Sequence, residues 1–110
     1  MPQQSSANRP TQSIAVLPFV NRSSDPDNEY FSDGISEEII NALTRIRDLK
    51  VIARTSSFSY KGKAVDIRTI GEELDVATVL EGSVRRIETR VRITAQLVDT
   101  NTGLGLWSKN

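Results

Sequence analysis

Residues 13–20, SIAVLPFV, constrain this chain more than any other segment. Nearly every side chain there is apolar, and a short continuous apolar run is the pattern of a strand buried on both faces. Such a strand needs cover above and below, so it belongs inside a sheet that has helices on both sides. Pro18 has no N–H to give to a sheet ladder, so pairing is expected to weaken toward the end of the run. The next stretch, NRSSDPDN, is made of turn-forming Asn, Ser, Asp and Pro.

A helix is expected within residues 29–47, because Phe31, Ile35, Ile39, Leu43 and Ile46 fall on one apolar stripe. Gly34 weakens its first turn, so Ser36 is the expected cap. Glu37 and Glu38 then lie near the positive end, and Arg45 and Arg47 near the negative end. Residues 49–55, LKVIART, read as a second strand, and TSSFSYKGKA as a loop. Asp66 is the N-cap of a second helix, with Ile67, Ile70, Gly71 and Leu74 on one face and Val65 placed to staple against Ile70. From residue 76 the apolar period becomes two: Val91, Ile93, Ala95 and Leu97 alternate with Arg90, Arg92, Thr94 and Gln96. This half-exposed strand should pair with residues 77–87 through a turn at Glu88 and Thr89, and a last strand near 104–108 follows DTNTG.

The order strand, helix, strand, helix and three strands implies an α/β fold with parallel pairing and right-handed crossovers. With the most apolar strand in the middle, the expected arrangement is a three-layer fold. It has a mixed five-stranded sheet of order 2-1-3-4-5, with strand 4 antiparallel and one helix on each face. Residues 1–12 are a polar linker, and 13–110 form the domain.

Composition then removes whole classes of chemistry. A chain of 110 residues fits one domain. Lys plus Arg is 14 and Asp plus Glu is 14, so the net charge is zero and the bulk basic signature of a nucleic-acid binder is missing. There is no Cys and no His, which excludes Cys/His zinc sites and imidazole-based triads. No apolar run approaches the length of a membrane span, and the first residues lack the apolar core of a signal peptide. No catalytic, cofactor-binding or metal-binding residues are expected.

Asp25, Asp27, Glu29 and Asp33 cluster, but the sixth position of a calcium loop counted from Asp25 would be Tyr30, where glycine is needed. They are read as a turn and helix start. Lys61, Gly62 and Lys63 lack the pattern of a phosphate loop. Arg85, Arg86, Arg90 and Arg92 form a basic hairpin that can bind phosphates, yet Glu81, Glu88 and Asp99 are close enough in sequence to pair across strands. The expected reading there is a solvated sheet face. The candidate ligand or partner site lies at the carboxyl edge of the first two strands, where diverging connections leave a crevice. Loop 20–28 would supply Asn21, Arg22, Ser24, Asp25 and Asn28. Loop 54–63 would supply Arg54, Thr55, Ser56, Ser57 and Lys61. The plainer reading is that Arg54 pairs with Asp25 and the hydroxyls satisfy loop backbone.

Several strings together carry a resemblance: SIAVLPF, SSDPDNEYFSDGISEEIINAL, VIARTSSF, DIRTIGEELDVATVLEGSVRR, VRITAQLVDTNTG and LW at 106–107. Over residues 13–108 the chain resembles the TolB-like amino-terminal domain. The resemblance implies an anticodon-binding-like fold and a fragment of a larger protein. It implies a non-catalytic regulatory or partner-binding module of a membrane-anchored bacterial signalling protein. Such proteins also carry tetratricopeptide repeats and an adenylate cyclase, kinase or DNA-binding output domain. The partner would be a protein or a neighbouring domain, with no nucleic acid, no cofactor, and membrane contact only through a separate anchor. The periplasm is the implied compartment, with the cytoplasm as the alternative. Two other functions compete with this one: nucleic-acid binding through the 85–92 hairpin, and small-ligand sensing at the carboxyl edge of the sheet. One departure stands out. Relatives carry Gly or Asn where this chain has Glu88 and Thr89, so a turn wider than two residues is expected.

Overall fold

The computed structural model describes residues 11–110. Most of the expected linker therefore lies outside the described residues, and where it enters them the carbonyl of Gln12 already accepts the Lys50 N–H at 2.9 Å. The strands are β1 (Ser13–Val16), β2 (Val20–Asn21), β3 (Lys50–Val51), β4 (Thr78–Ile87), β5 (Arg90–Asp99) and β6 (Gly105–Lys109). The helices are α1 (Glu29–Leu43), α2 (Arg54–Phe58) and α3 (Ile67–Leu74). The six strands form one sheet that runs β3-β1-β4-β5-β6, with β2 also paired to β4. β1 is parallel to β3 and β4, while β5 is antiparallel to β4 and β6.

The expected five-strand order is thus corrected by a sixth strand, and Pro18 is the reason. The apolar run breaks after Leu17, whose N–H still reaches the Leu80 carbonyl at 2.9 Å. It rejoins β4 further along, with Val20 beside Ser83 and Asn21 beside Val84. Between the two strands Phe19 turns inward and is only 1% exposed. Its N–H has left the ladder and would be a buried orphan. The Ser36 hydroxyl accepts it at 2.8 Å.

Ser36 is therefore not a cap. It sits mid-helix and buried, donating to the Ser32 carbonyl. The helix begins earlier because Asp25-Pro26 is a strong start signal. The Asp25 carboxylate accepts the Asp27 N–H at 2.9 Å, a single 3-10 turn (Pro26–Asn28) follows, and α1 continues from it. Phe31, Ile35, Ile39 and Leu43 pack at the margins of the helix's inner face, whose centre is Ser32, Ser36 and Ile40; Ile46 is exposed. The small serines let the helix approach the sheet closely.

The expected strand 49–55 is also shorter. Only Lys50 and Val51 pair with β1, and residues 54–58 form α2 in place of strand and loop. There Arg54 stacks over the Phe58 ring four residues on, at 4.1 Å, a spacing that only a helix provides. Asp66 caps α3 by accepting the Arg68 N–H at 2.8 Å.

α1 covers one face of the sheet through Val16, Phe19, Ile40 and Val84, and α3 covers the other through Ala15, Ile70, Val76 and Val79. β4 and β5 run on to the hairpin tip, and every residue from Arg85 to Arg92 is exposed. Their turn has two residues, with Ile87 opposite Arg90. The expected wider turn is corrected: Glu88 takes φ +56° itself, a left-handed conformation that costs an L-residue roughly 1–2 kcal/mol.

Candidate functional site

The residues expected at the carboxyl edge divide into groups already engaged with their own chain. Asn21 donates from its amide to the Asp25 carbonyl at 3.2 Å and accepts the Ser23 N–H at 2.9 Å. Asn28 donates its N–H to the Asp25 carbonyl, and its own carbonyl accepts the Ser32 hydroxyl. These three form one self-satisfied loop ahead of α1. Arg54 pairs with Glu37 at 2.6 Å, which corrects the expected Arg54–Asp25 pair. Ser57 is buried and donates to the Arg54 carbonyl; the Ser56 carbonyl accepts the Ser59 hydroxyl. Arg22 is exposed, its N–H on the Val84 carbonyl. Lys61 bridges to Asp33 at 2.6 Å and Glu29 at 3.1 Å, and the Asp33 hydrogen bond is the largest influence holding its pKa above the usual lysine value.

A cleft of about 420 Å³ does exist beyond β1; of the expected loop residues Lys61 lines it, while residues 21, 22, 25, 28, 54, 56 and 57 do not. Leu17, Val65, Ile67 and Ile70 form its apolar part, with Tyr60, Lys63 and Glu81 as polar members. Burial, and next the hydrogen bond to Glu73, push the Tyr60 phenol up to about 12, so it remains a proton donor to that carboxylate at neutral pH.

From this cleft an uncovered strip of sheet continues toward the hairpin. Val79 faces α3, so the odd-numbered positions of β4 lie on that side, and the register sets Gln96, Thr94 and Arg92 beside Glu81, Ser83 and Arg85. A shallow depression of about 260 Å³ between Val20, Arg22, Ser83 and Thr94 leads on. The strip ends in a concave surface of about 660 Å³ formed by Arg85, Ile87, Arg90, Val91 and Arg92.

The acidic partners expected for these arginines are not there. Glu81 stands opposite Gln96, Asp99 opposite Thr78, and Arg85 directly opposite Arg92. Among the described residues, no ion pair involves Arg85, Arg86, Arg90 or Arg92. Arg86, on the other face, lies over the Phe31 ring at 5.1 Å. The register carries this result, and the register follows from the two-residue turn. The uncovered strip was not visible in sequence, because polar residues between apolar ones look alike whether or not a helix covers them.

Residues 10–109 match the family described as the second domain of HilA/YgeH-like transcriptional regulators. The chain belongs to that family. This regulator domain is 58% identical over 97 residues to "Putative adenylate cyclase 3" of Rhizobium meliloti (strain 1021). The match takes in 88% of the chain but only 16% of that curated relative's length. Among solved structures the domain is similar to lipoprotein GNA1162 of Neisseria meningitidis, at a TM-score of 0.71 and 23% identity over 88% of this chain and 78% of that one. It is similar also to TolB of Acinetobacter baumannii, at 0.60 and 16% identity over 94% of this chain and 24% of that one. At these identities the likeness is one of fold, and it includes the protein after which the resembled domain is named.

Proposed function

We propose that this chain is a non-catalytic regulatory module of a larger bacterial signalling protein, and that it works by docking a partner protein or a neighbouring domain. Two relationships carry the proposal: membership of a family of regulator second domains, and 58% identity to a segment that makes up 16% of a protein named "Putative adenylate cyclase 3". The chain's own chemistry is consistent with this role. Its Ser57 and Ser59 hydroxyls donate to backbone carbonyls, and its carboxylates Glu37, Asp33 and Glu29 are held in ion pairs.

Deleting the matching segment from the Rhizobium relative and measuring cyclic AMP formation tests the proposal. A changed rate or a lost response is expected. Identical output with and without the segment would refute a regulatory role. The TolB-like resemblance further supports a site outside the cytoplasm, on a parent held by an anchor elsewhere; among the described residues no helix is long and apolar enough to cross a membrane. Alkaline phosphatase fused to the domain within its full-length parent should be active if this is right.

A further inference from the structure

We infer that the hairpin face bearing Arg85, Ile87, Arg90 and Arg92 is a docking surface, and that its occupant is a short acidic polypeptide segment with apolar residues interleaved. This deepens the docking reading above and rests on it.

The charge arrangement is the first argument. The whole chain is neutral, yet three arginines converge on one concave surface of the hairpin with no ion pair among the described residues. Two of them, Arg85 and Arg92, are direct cross-strand neighbours. Like charges in that position destabilise a sheet, so the folded domain gains nothing from the arrangement. A partner would gain: guanidinium groups present a planar fork of donors that matches carboxylates two bonds at a time.

The second argument is the apolar content of the same surface. Ile87 is 56% exposed and shares its face with Arg85, Arg90 and Arg92. A segment that alternates acidic and apolar side chains matches both features. The third argument is the length of the positive patch. Glu81 lies on the same face on one side and Glu88 forms the tip on the other. The arginines are thus confined to a stretch of strand of roughly 20 Å at about 3.3 Å per residue. A few carboxylates fit within it. A duplex carries phosphates continuously past both acids, and three arginine contacts would give it only a shallow salt dependence, a slope of about −3. Residues 81–96 contain no aromatic side chain on which single-stranded bases could stack.

The test is a titration of the isotope-labelled chain, followed by NMR. The probes are a short synthetic peptide alternating Glu and Leu, the same peptide with Lys in place of Glu, and a DNA duplex. Saturable shifts at residues 85–92 are expected with the Glu peptide and none with the Lys peptide. The double variant Arg85→Gln, Arg92→Gln should lose at least about tenfold in affinity, while the signals of α3 and its core stay in place as a check on folding. Unmoved signals at 85–92, equal binding by the double variant, or tighter binding of the duplex than of the peptide at the same salt would each overturn the inference. Titration with the flanking domains of the parent protein separates the two proposals. If those domains shift signals elsewhere on the chain while the peptide shifts none, the acidic-segment inference fails and the docking reading stands. If neither moves any signal, both fail.

Discussion

Residues 78–84 and residues 85–87 belong to the same strand, β4, and pair with the same neighbour, β5. In the first stretch Val79 and Val84 are buried, each against a different helix. In the second stretch every side chain is exposed. The backbone geometry is shared, so the difference comes from what covers the sheet. Where helices lie on both faces, the strand is specified by packing, and a close approach such as that of Gly82 to Phe19 becomes possible. Toward the tip the ribbon is held by the ladder, the turn and two ties at Arg86, whose N–H donates to the Ser23 hydroxyl at 2.7 Å and whose guanidinium lies over the Phe31 ring. The side chains of Arg85, Arg90 and Arg92 are available for other duties.

Substitutions can break or sharpen this contrast. The largest effect is expected at Phe19. Its ring is buried between α1 and β4, and Phe19→Ala should cost about 3–5 kcal/mol in denaturant melts. A loss under about 1 kcal/mol would mean the covered end is not the stability core. Next is Gly82→Ala. The new methyl would meet the Thr94 carbonyl oxygen and stand 2.7 Å from the Phe19 ring, and such overpacking costs about 1–3 kcal/mol or more. A crystal structure of a fully stable Gly82→Ala variant with β5 unmoved would contradict this geometry.

Ser36→Ala should cost about 1–3 kcal/mol by leaving the buried Phe19 N–H without an acceptor; hydrogen exchange at that amide should speed up. At the exposed end the signs change. Glu88→Gly relieves a left-handed residue and should stabilise by up to about 1 kcal/mol, visible as a higher melting temperature. The smallest effect belongs to Arg85→Gln. It removes one of two facing positive charges, so stability should move by less than about 0.5 kcal/mol and upward if at all. A large loss there would show that the arginine is structural, which would also weaken the docking inference.

How legible each feature was depends on how far away its partner lies. The Asp66 cap was readable because its acceptor and the Arg68 N–H are two residues apart. The alternation of residues 90–97 was readable because a strand repeats its environment every second residue. The role of Ser36 was not, since its partner Phe19 is 17 residues away and is orphaned only because Pro18 breaks the strand. The partner of Arg54 was misread for the same reason: Asp25 and Glu37 are both acidic and both distant, and only the packing of α2 beside α1 selects Glu37. The candidate loop residues failed to converge because Asn21, Asp25 and Asn28 found hydrogen bonds with one another first.

The sequence by itself determined helices α1 and α3 with their apolar faces, the hairpin strands β4 and β5, the Asp66 cap and the absence of imidazole or thiol chemistry. These follow from side-chain identity and from spacings within a turn or two, where the physics is local. Only the tertiary structure decided that the first apolar run makes two strands, that Glu88 accepts a strained turn, and that Arg85 faces Arg92 beyond the reach of either helix. Those outcomes depend on where helices end over the sheet and on which register a turn permits, and both are settled by contacts between segments far apart in the chain.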